Sequence, residues 1–137
     1  TTRPDDERQL RANNKNIQIF GNRFNTTDGT AIRDYIHVVD LAAAHIEAFK
    51  AIEKSKKSGV WNCGYGKGYS VLEVVRAFEK VSGVNFNIQY SEPRLGDLAQ
   101  VVSNNQRIMA ESSWKPEFNN IEIICRSNYE WIVNGHY

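Results

Sequence analysis

The stretch VWNCGYGKGYSVLEVVRAF, Val60 to Phe78, limits the architectures open to this chain more than any other. VWNC is a short apolar run with strand propensity. Gly64, Gly66 and Gly68 then alternate with other residues, which is turn chemistry. Ser70 and Glu73 have capping-box spacing, and Val71, Val74, Val75 and Phe78 recur on one helical face as far as a stop at Gly83. A strand feeding a one-sided helix cannot bury either apolar face alone. It has to be part of a layered α/β arrangement.

A glycine-rich turn between strand and helix is also where a dinucleotide pyrophosphate can sit. The spacing here argues against that use. It is G-x-G-x-G, whereas the dinucleotide fingerprint is G-x-G-x-x-G, with the third glycine letting helix and strand pack closely. An acidic residue should follow about twenty positions later for the ribose hydroxyls. Positions 84 to 91 carry no carboxylate, and Glu92 comes too late. The turn is expected to be a flexible connection and not a cofactor loop.

The rest of the chain keeps the alternation. IQIF (Ile17 to Phe20) reads as a strand ended by Gly21-Asn22, and NTTDGT (Asn25 to Thr30) as a turn. Tyr35 to Val38 is β-prone. Asp40 is the expected N-cap of a helix whose face is Ala42, Ile46 and Phe49. FNIQY (Phe86 to Tyr90) is a third strand, and Asn104 to Glu111 a short helix closed by Trp114-Lys115-Pro116. Ile121 to Val133 should be a terminal helix burying Ile124, Cys125 and Trp131. Residues 1 to 15 form a polar lead-in with no amphipathic face, expected to be frayed, ahead of one domain over 16 to 137.

Composition excludes several classes. Seventeen basic and sixteen acidic residues give a net charge of +1, well mixed, which suits neither a nucleic-acid surface nor a membrane patch. No run of 18 apolar residues occurs, and the expected setting is cytoplasmic. Cys63 and Cys125 stand alone in apolar segments, too few for a zinc site and better read as free thiols. Asp34, His37, Asp40 and His45 recur at intervals that invite a metal reading, but Asp40 already has a capping role, so no metal is expected.

The block IFGNRFNTTDGTAIRDYIHVVDLAAAH, Ile19 to His45, resembles the UDP-glucose 4-epimerase family of extended short-chain dehydrogenase/reductases. Val60 to Gly83 is similar to the family's next segment, and PRLGD (Pro93 to Asp97) to its R-x-G-D turn. The resemblance runs from about Asn16 to Trp131. It implies an α/β fold: the C-terminal, substrate-binding part of such an enzyme, a small mixed sheet with flanking helices and no dinucleotide-binding Rossmann half. In the family, NAD does the redox step at the sugar's C4 and a Tyr-x-x-x-Lys pair handles the proton, both in the N-terminal half. None of the six tyrosines here has a lysine four positions on. The resemblance therefore implies a chain with no catalytic or cofactor-binding residue of its own, inactive alone, holding the UDP-sugar while a missing N-terminal half does the chemistry.

Its site residues carry over one by one. Arg33 corresponds to the diphosphate arginine, Arg94 to the arginine of R-x-G-D, and Asp97 to the acceptor for the uridine ribose. A guanidinium fork suits phosphate oxygens, each charge-assisted bond contributing about 1.5–3 kcal/mol. From the residues alone, Arg33 could equally pair with Asp34 or Asp28, and Asp97 could simply cap its turn. Gln18, Ile19 and Phe20 correspond to the strand whose backbone and aromatic edge hold uracil; by composition that strand is core. Val101 falls where the family sets tolerance for a C2 substituent, with Tyr in hexose-only members and a small residue where N-acetylhexosamines enter. Valine lies between. A UDP-N-acetylhexosamine epimerase, a UDP-sugar decarboxylase and a non-catalytic nucleotide-sugar-binding module stay open. The family usually has an arginine where this chain has Pro93. Residues 38 to 64 would join the Rossmann domain, so here they should expose apolar surface, relieved by self-association or altered packing.

Overall fold

A computed structural model describes residues 15–134. The elements in chain order are β1 (Asn16–Phe20), β2 (Ile32–Arg33), α1 (Val38–Ser55), β3 (Tyr69–Ser70), α2 (Val71–Ser82), β4 (Asn87–Ser91), β5 (Gln100–Val101), α3 (Gln106–Glu111) and α4 (Ile121–Asn134). The lead-in expected over residues 1 to 15 lies outside the described residues, Lys15 apart.

The expected small mixed sheet is present, and a second sheet stands beside it. The first has the order β3-β2-β5, with β3 antiparallel and β5 parallel to β2. The second is the parallel pair β1-β4, in which Ile17 faces Ile88 and Phe20 faces Ser91. Both connections between parallel partners are long crossovers, as parallel pairing demands.

The capping box forms as its spacing implies. The Ser70 hydroxyl accepts the Glu73 amide at 3.0 Å and the Glu73 carboxylate accepts the Ser70 amide at 2.7 Å. At the other end Gly83 closes α2 in a left-handed conformation. α2 packs on α4 through Phe78, whose ring meets Tyr129 edge-on at 6.0 Å, and through Val75 and Cys125, both buried. A second core joins Ala44, Ile108 and Trp114, with Ile36, Ala43, Trp61 and Cys63 against it.

Four local expectations are corrected. The β-prone residues Tyr35 to Val38 are not a strand: β2 lies just before them and Val38 opens α1. The N-cap of α1 is His37 and not Asp40; its Nδ1 accepts the Val39 amide at 3.1 Å. Asp40 cannot serve because its carboxylate is committed to tertiary partners. Val60 to Cys63 is not a strand either, since its carbonyls go to side chains: Val60 O to Arg107 and Cys63 O to Ser103. Trp131 faces outward, 57% exposed, while Cys125 alone of the expected α4 face is fully buried. The apolar surface expected over 38 to 64 is there: Val38, Ile46, Phe49 and Val60 are all exposed. No helix among the described residues is long and apolar enough to cross a membrane.

Candidate functional site

Two short strands and one turn bring distant residues together. At the end of β1, the Phe20 ring carries the Arg94 guanidinium 4.2 Å above its centre. Arg94 opens the turn that Asp97 closes: the Asp97 amide donates to Arg94 O at 3.1 Å, and Gly96 between them has φ +84°. Asp97 Oδ1 lies 3.8 Å from Arg33 Nη2. Arg33 Nη1 donates to the carbonyls of Ile32 at 2.7 Å and Leu98 at 2.9 Å, which fixes the guanidinium plane over the start of β5. Val101 stands directly opposite Arg33 in register. Phe20, Arg33, Arg94, Asp97 and Val101 are thus linked in one chain of contacts.

Asp97 closes its turn, accepting the Arg94 amide at 3.4 Å, and also reaches Arg33. Arg33 pairs with neither Asp34 nor Asp28. Asp28 is taken by the hydroxyls of Ser70 and Thr30.

Gln18 and Phe20 point the same way, and Ile19 does not. The bonds Gly21 N–H to Ser91 O and Asn87 N–H to Lys15 O aim the odd-numbered residues of β1 at β4. In a parallel pair the even-numbered ones then turn their backbone groups to the opposite edge. Ile19 faces β4 with its backbone and buries its side chain, 2% exposed. Its side chain is part of the core. The Gln18 amide donates to the Ser91 hydroxyl at 2.5 Å.

The glycine turn is closed on a protein carboxylate. Asp34 accepts the amides of Tyr65 at 3.1 Å, Gly66 at 2.9 Å and Ser103 at 3.2 Å. Gly64 allows the approach: a Cβ there would stand 2.5 Å from both Asp34 Oδ2 and Ser103 Oγ. The donors that a pyrophosphate would need are already spent on Asp34, so these residues do not fit an NAD site. Sequence reasoning missed this staple, although an acid beside Arg33 and a turn rich in small residues were both visible.

The groups that invited a metal reading have separate partners. His37 Nε2 lies 2.8 Å from Ser127 Oγ, and His45 Nδ1 2.7 Å from Leu41 O. Since His37 Nδ1 accepts an amide, the neutral ring carries its proton on Nε2 and donates it to Ser127. Among the described residues no group of three His, Cys, Asp or Glu side chains is arranged to hold a metal. Burial pushes the Tyr35 phenol up to about 12, against the opposing charge of Arg33.

Comparison with known proteins agrees with this architecture. Residues 6–64 match the model of the NAD dependent epimerase/dehydratase family. The UDP-glucose 4-epimerase of Bacillus subtilis (strain 168) is 40% identical over 123 residues, which is 88% of this chain and 36% of that protein. The chain is similar to UDP-glucose 4-epimerases over most of its own length. It spans about a third of the length of the curated relatives it matches, and the part it corresponds to is C-terminal. The fold agrees with solved UDP-glucose 4-epimerases. The UDP-glucose 4-epimerase of Stenotrophomonas maltophila, solved with NAD and formylated UDP-arabinopyranose, superposes with a TM-score of 0.85 at 35% identity, covering 92% of this chain and 38% of that one. The UDP-Glc/GlcNAc 4-epimerase of Campylobacter jejuni gives 0.81 at 38% identity, over 94% and 39%.

Proposed function

We propose that this chain is the UDP-sugar-holding part of a UDP-glucose 4-epimerase of the cytoplasm, which interconverts UDP-glucose and UDP-galactose. In a whole enzyme, NAD and the N-terminal half would supply the redox step at C4. The observation that carries the reading is the convergence of Arg33, Arg94 and Asp97 beside Phe20. Two guanidinium groups at the end of an aromatic strand suit a diphosphate joined to a base, and a carboxylate within the cluster suits ribose hydroxyls.

A 4-epimerase has to hold the nucleotide firmly and the hexose loosely, because the sugar must present both faces of C4. Binding energy from the non-reacting UDP then positions the reacting carbon. The residues gathered here suit the firm half of that division. Gln18 and Phe20 would meet the base along the edge of β1 that faces away from β4, Arg33 and Arg94 the phosphates, and Asp97 the ribose. Val101 would lie toward the sugar.

Titration calorimetry with UDP tests this directly. The chain should bind UDP, and Arg33→Ala and Arg94→Ala should each weaken binding about tenfold or more, as loss of a charge-assisted bond implies. No detectable heat at millimolar UDP would overturn the reading. Alone with added NAD, the chain should not epimerise UDP-galactose.

A further inference from the structure

The mixed sheet sets a row of three side chains on one face. Tyr69 of β3 is directly opposite Arg33, and Val101 of β5 is directly opposite it on the other side. Residues opposite one another in register project from the same face. The site as described uses the Arg33 and Val101 end of that row and leaves the Tyr69 end unassigned.

Lys67 occupies that end. Its ammonium lies 4.8 Å from the centre of the Tyr69 ring, a distance at which the ring's negative face attracts a cation. Among the described residues no carboxylate is within ion-pair distance of it, unlike Lys50 and Lys80. Gly68, between the two, makes the placement possible. A Cβ there would collide with the Ile32 and Val102 methyl groups under the sheet, so its absence lets β3 close on β2.

Charge balance gives Lys67 something to do. Asp97 beside Arg33 offsets one of the two guanidinium charges, so Arg33, Arg94 and Asp97 together supply a single net positive charge. Arg33 also spends Nη1 on two carbonyls. A nucleotide-sugar diphosphate carries an ionised oxygen on each phosphoryl group and needs a second net charge to match.

We propose that Lys67, steadied on the Tyr69 ring, is a third cationic contact for the diphosphate of the nucleotide sugar. This rests on the reading of the site given above. The ammonium on its flexible stem reaches along the row toward Arg33 and neutralises the phosphoryl charge that the two arginines leave unmatched.

Calorimetry with UDP and with uridine, at low and high salt, tests it on wild type, Lys67→Ala, Lys67→Arg and Tyr69→Phe. Lys67→Ala should weaken UDP about three- to tenfold and flatten its salt dependence, while uridine binding stays as in wild type. Lys67→Arg and Tyr69→Phe, which keep the charge and the ring, should stay near wild type. UDP affinity of Lys67→Ala unchanged from wild type would overturn the Lys67 contact and leave the site standing on Arg33→Ala. Equal losses of UDP and uridine would show a structural role and overturn it too. A wild-type chain that binds no UDP would remove both the site and this contact.

Discussion

The Tyr65 hydroxyl donates to Asp40 Oδ2 at 2.5 Å, joining the glycine turn to the first turn of α1. Asp40 is 2% exposed and also accepts the amides of Glu117 at 3.0 Å and Phe118 at 2.9 Å. One carboxylate therefore ties a turn, a helix and the segment before α4. Asp40→Ala would strand three donors in the interior, at a cost of about 3 kcal/mol or more. Tyr65→Phe leaves the Glu117 and Phe118 amide bonds in place, removes the acceptor of the His37 amide as well, and should cost about 1–2 kcal/mol. Urea unfolding midpoints check the pair, and similar values for the two variants would contradict this account.

The same carboxylate makes stability depend on pH. Burial alone would raise the Asp40 pKa, but the Tyr65 hydroxyl and the Glu117 and Phe118 amides outweigh it and hold the carboxyl below its ordinary value. Asp28 is lowered in the same way: burial is opposed by the Ser70 and Thr30 hydroxyls and the Thr30 amide. A depressed folded-state pKa gives stability that is fully present above the unfolded value and lost as the pH falls through the folded one. Stability should be flat above about pH 5 and decline below about pH 4. Unfolding curves across that range measure the decline, which Asp40→Asn should reduce. A profile level into the acid range would refute it.

Gly64→Ala puts a methyl group where Asp34 and Ser103 already meet. Asp34 would have to give up the Tyr65, Gly66 and Ser103 amides. A loss of about 2 kcal/mol is expected, together with weaker UDP binding, since Arg33 is the next residue back along β2. Thermal unfolding and calorimetry on one preparation test both parts. Wild-type stability would show that the turn relaxes without cost.

Local signals explain most of what could be read in advance. The Ser70–Glu73 box, the Gly83 stop and the β1 and β4 strands rest on near neighbours in sequence, and the structure keeps them. Asp40 was misread because its partners are 25 to 78 residues away, and a tertiary hydrogen bond leaves no periodic trace. Val60 to Cys63 has strand propensity but pairs with no strand among the described residues, so no strand forms there. Ile19 was grouped with its neighbours by motif. Strand parity, visible only once β1 is paired with β4, separates it from Gln18 and Phe20. Arg33, Arg94 and Asp97 could be named from the family resemblance, but their meeting depends on β2 pairing with β5 across a long connection.

Val101 offers a test of sugar choice. It is half exposed beside Arg33, on the row expected to lie toward the hexose. Val101→Tyr should fill that space. It should weaken UDP-N-acetylglucosamine about tenfold while leaving UDP-glucose within about twofold, as a clash on the acetamido group alone implies. Competition against UDP measures the two ligands on one scale. Equal losses for both would place Val101 away from C2.

The apolar face of α1 sets a last expectation. Phe49 is 62% exposed, Ile46 projects from the preceding turn of the same helix, and Val60, 80% exposed, lies just beyond the helix. Exposed apolar surface of this kind is usually covered in solution. A second copy of the chain could supply that cover. Sedimentation velocity should therefore show reversible association at micromolar concentrations. Phe49→Lys with Ile46→Lys should shift the chain to monomer with its helix content unchanged, because both positions face outward and lysine suits a helix. UDP affinity should survive the change, as neither residue contacts Arg33, Arg94 or Asp97. A wild-type chain that stays monomeric at high concentration would mean that this face tolerates water unaided.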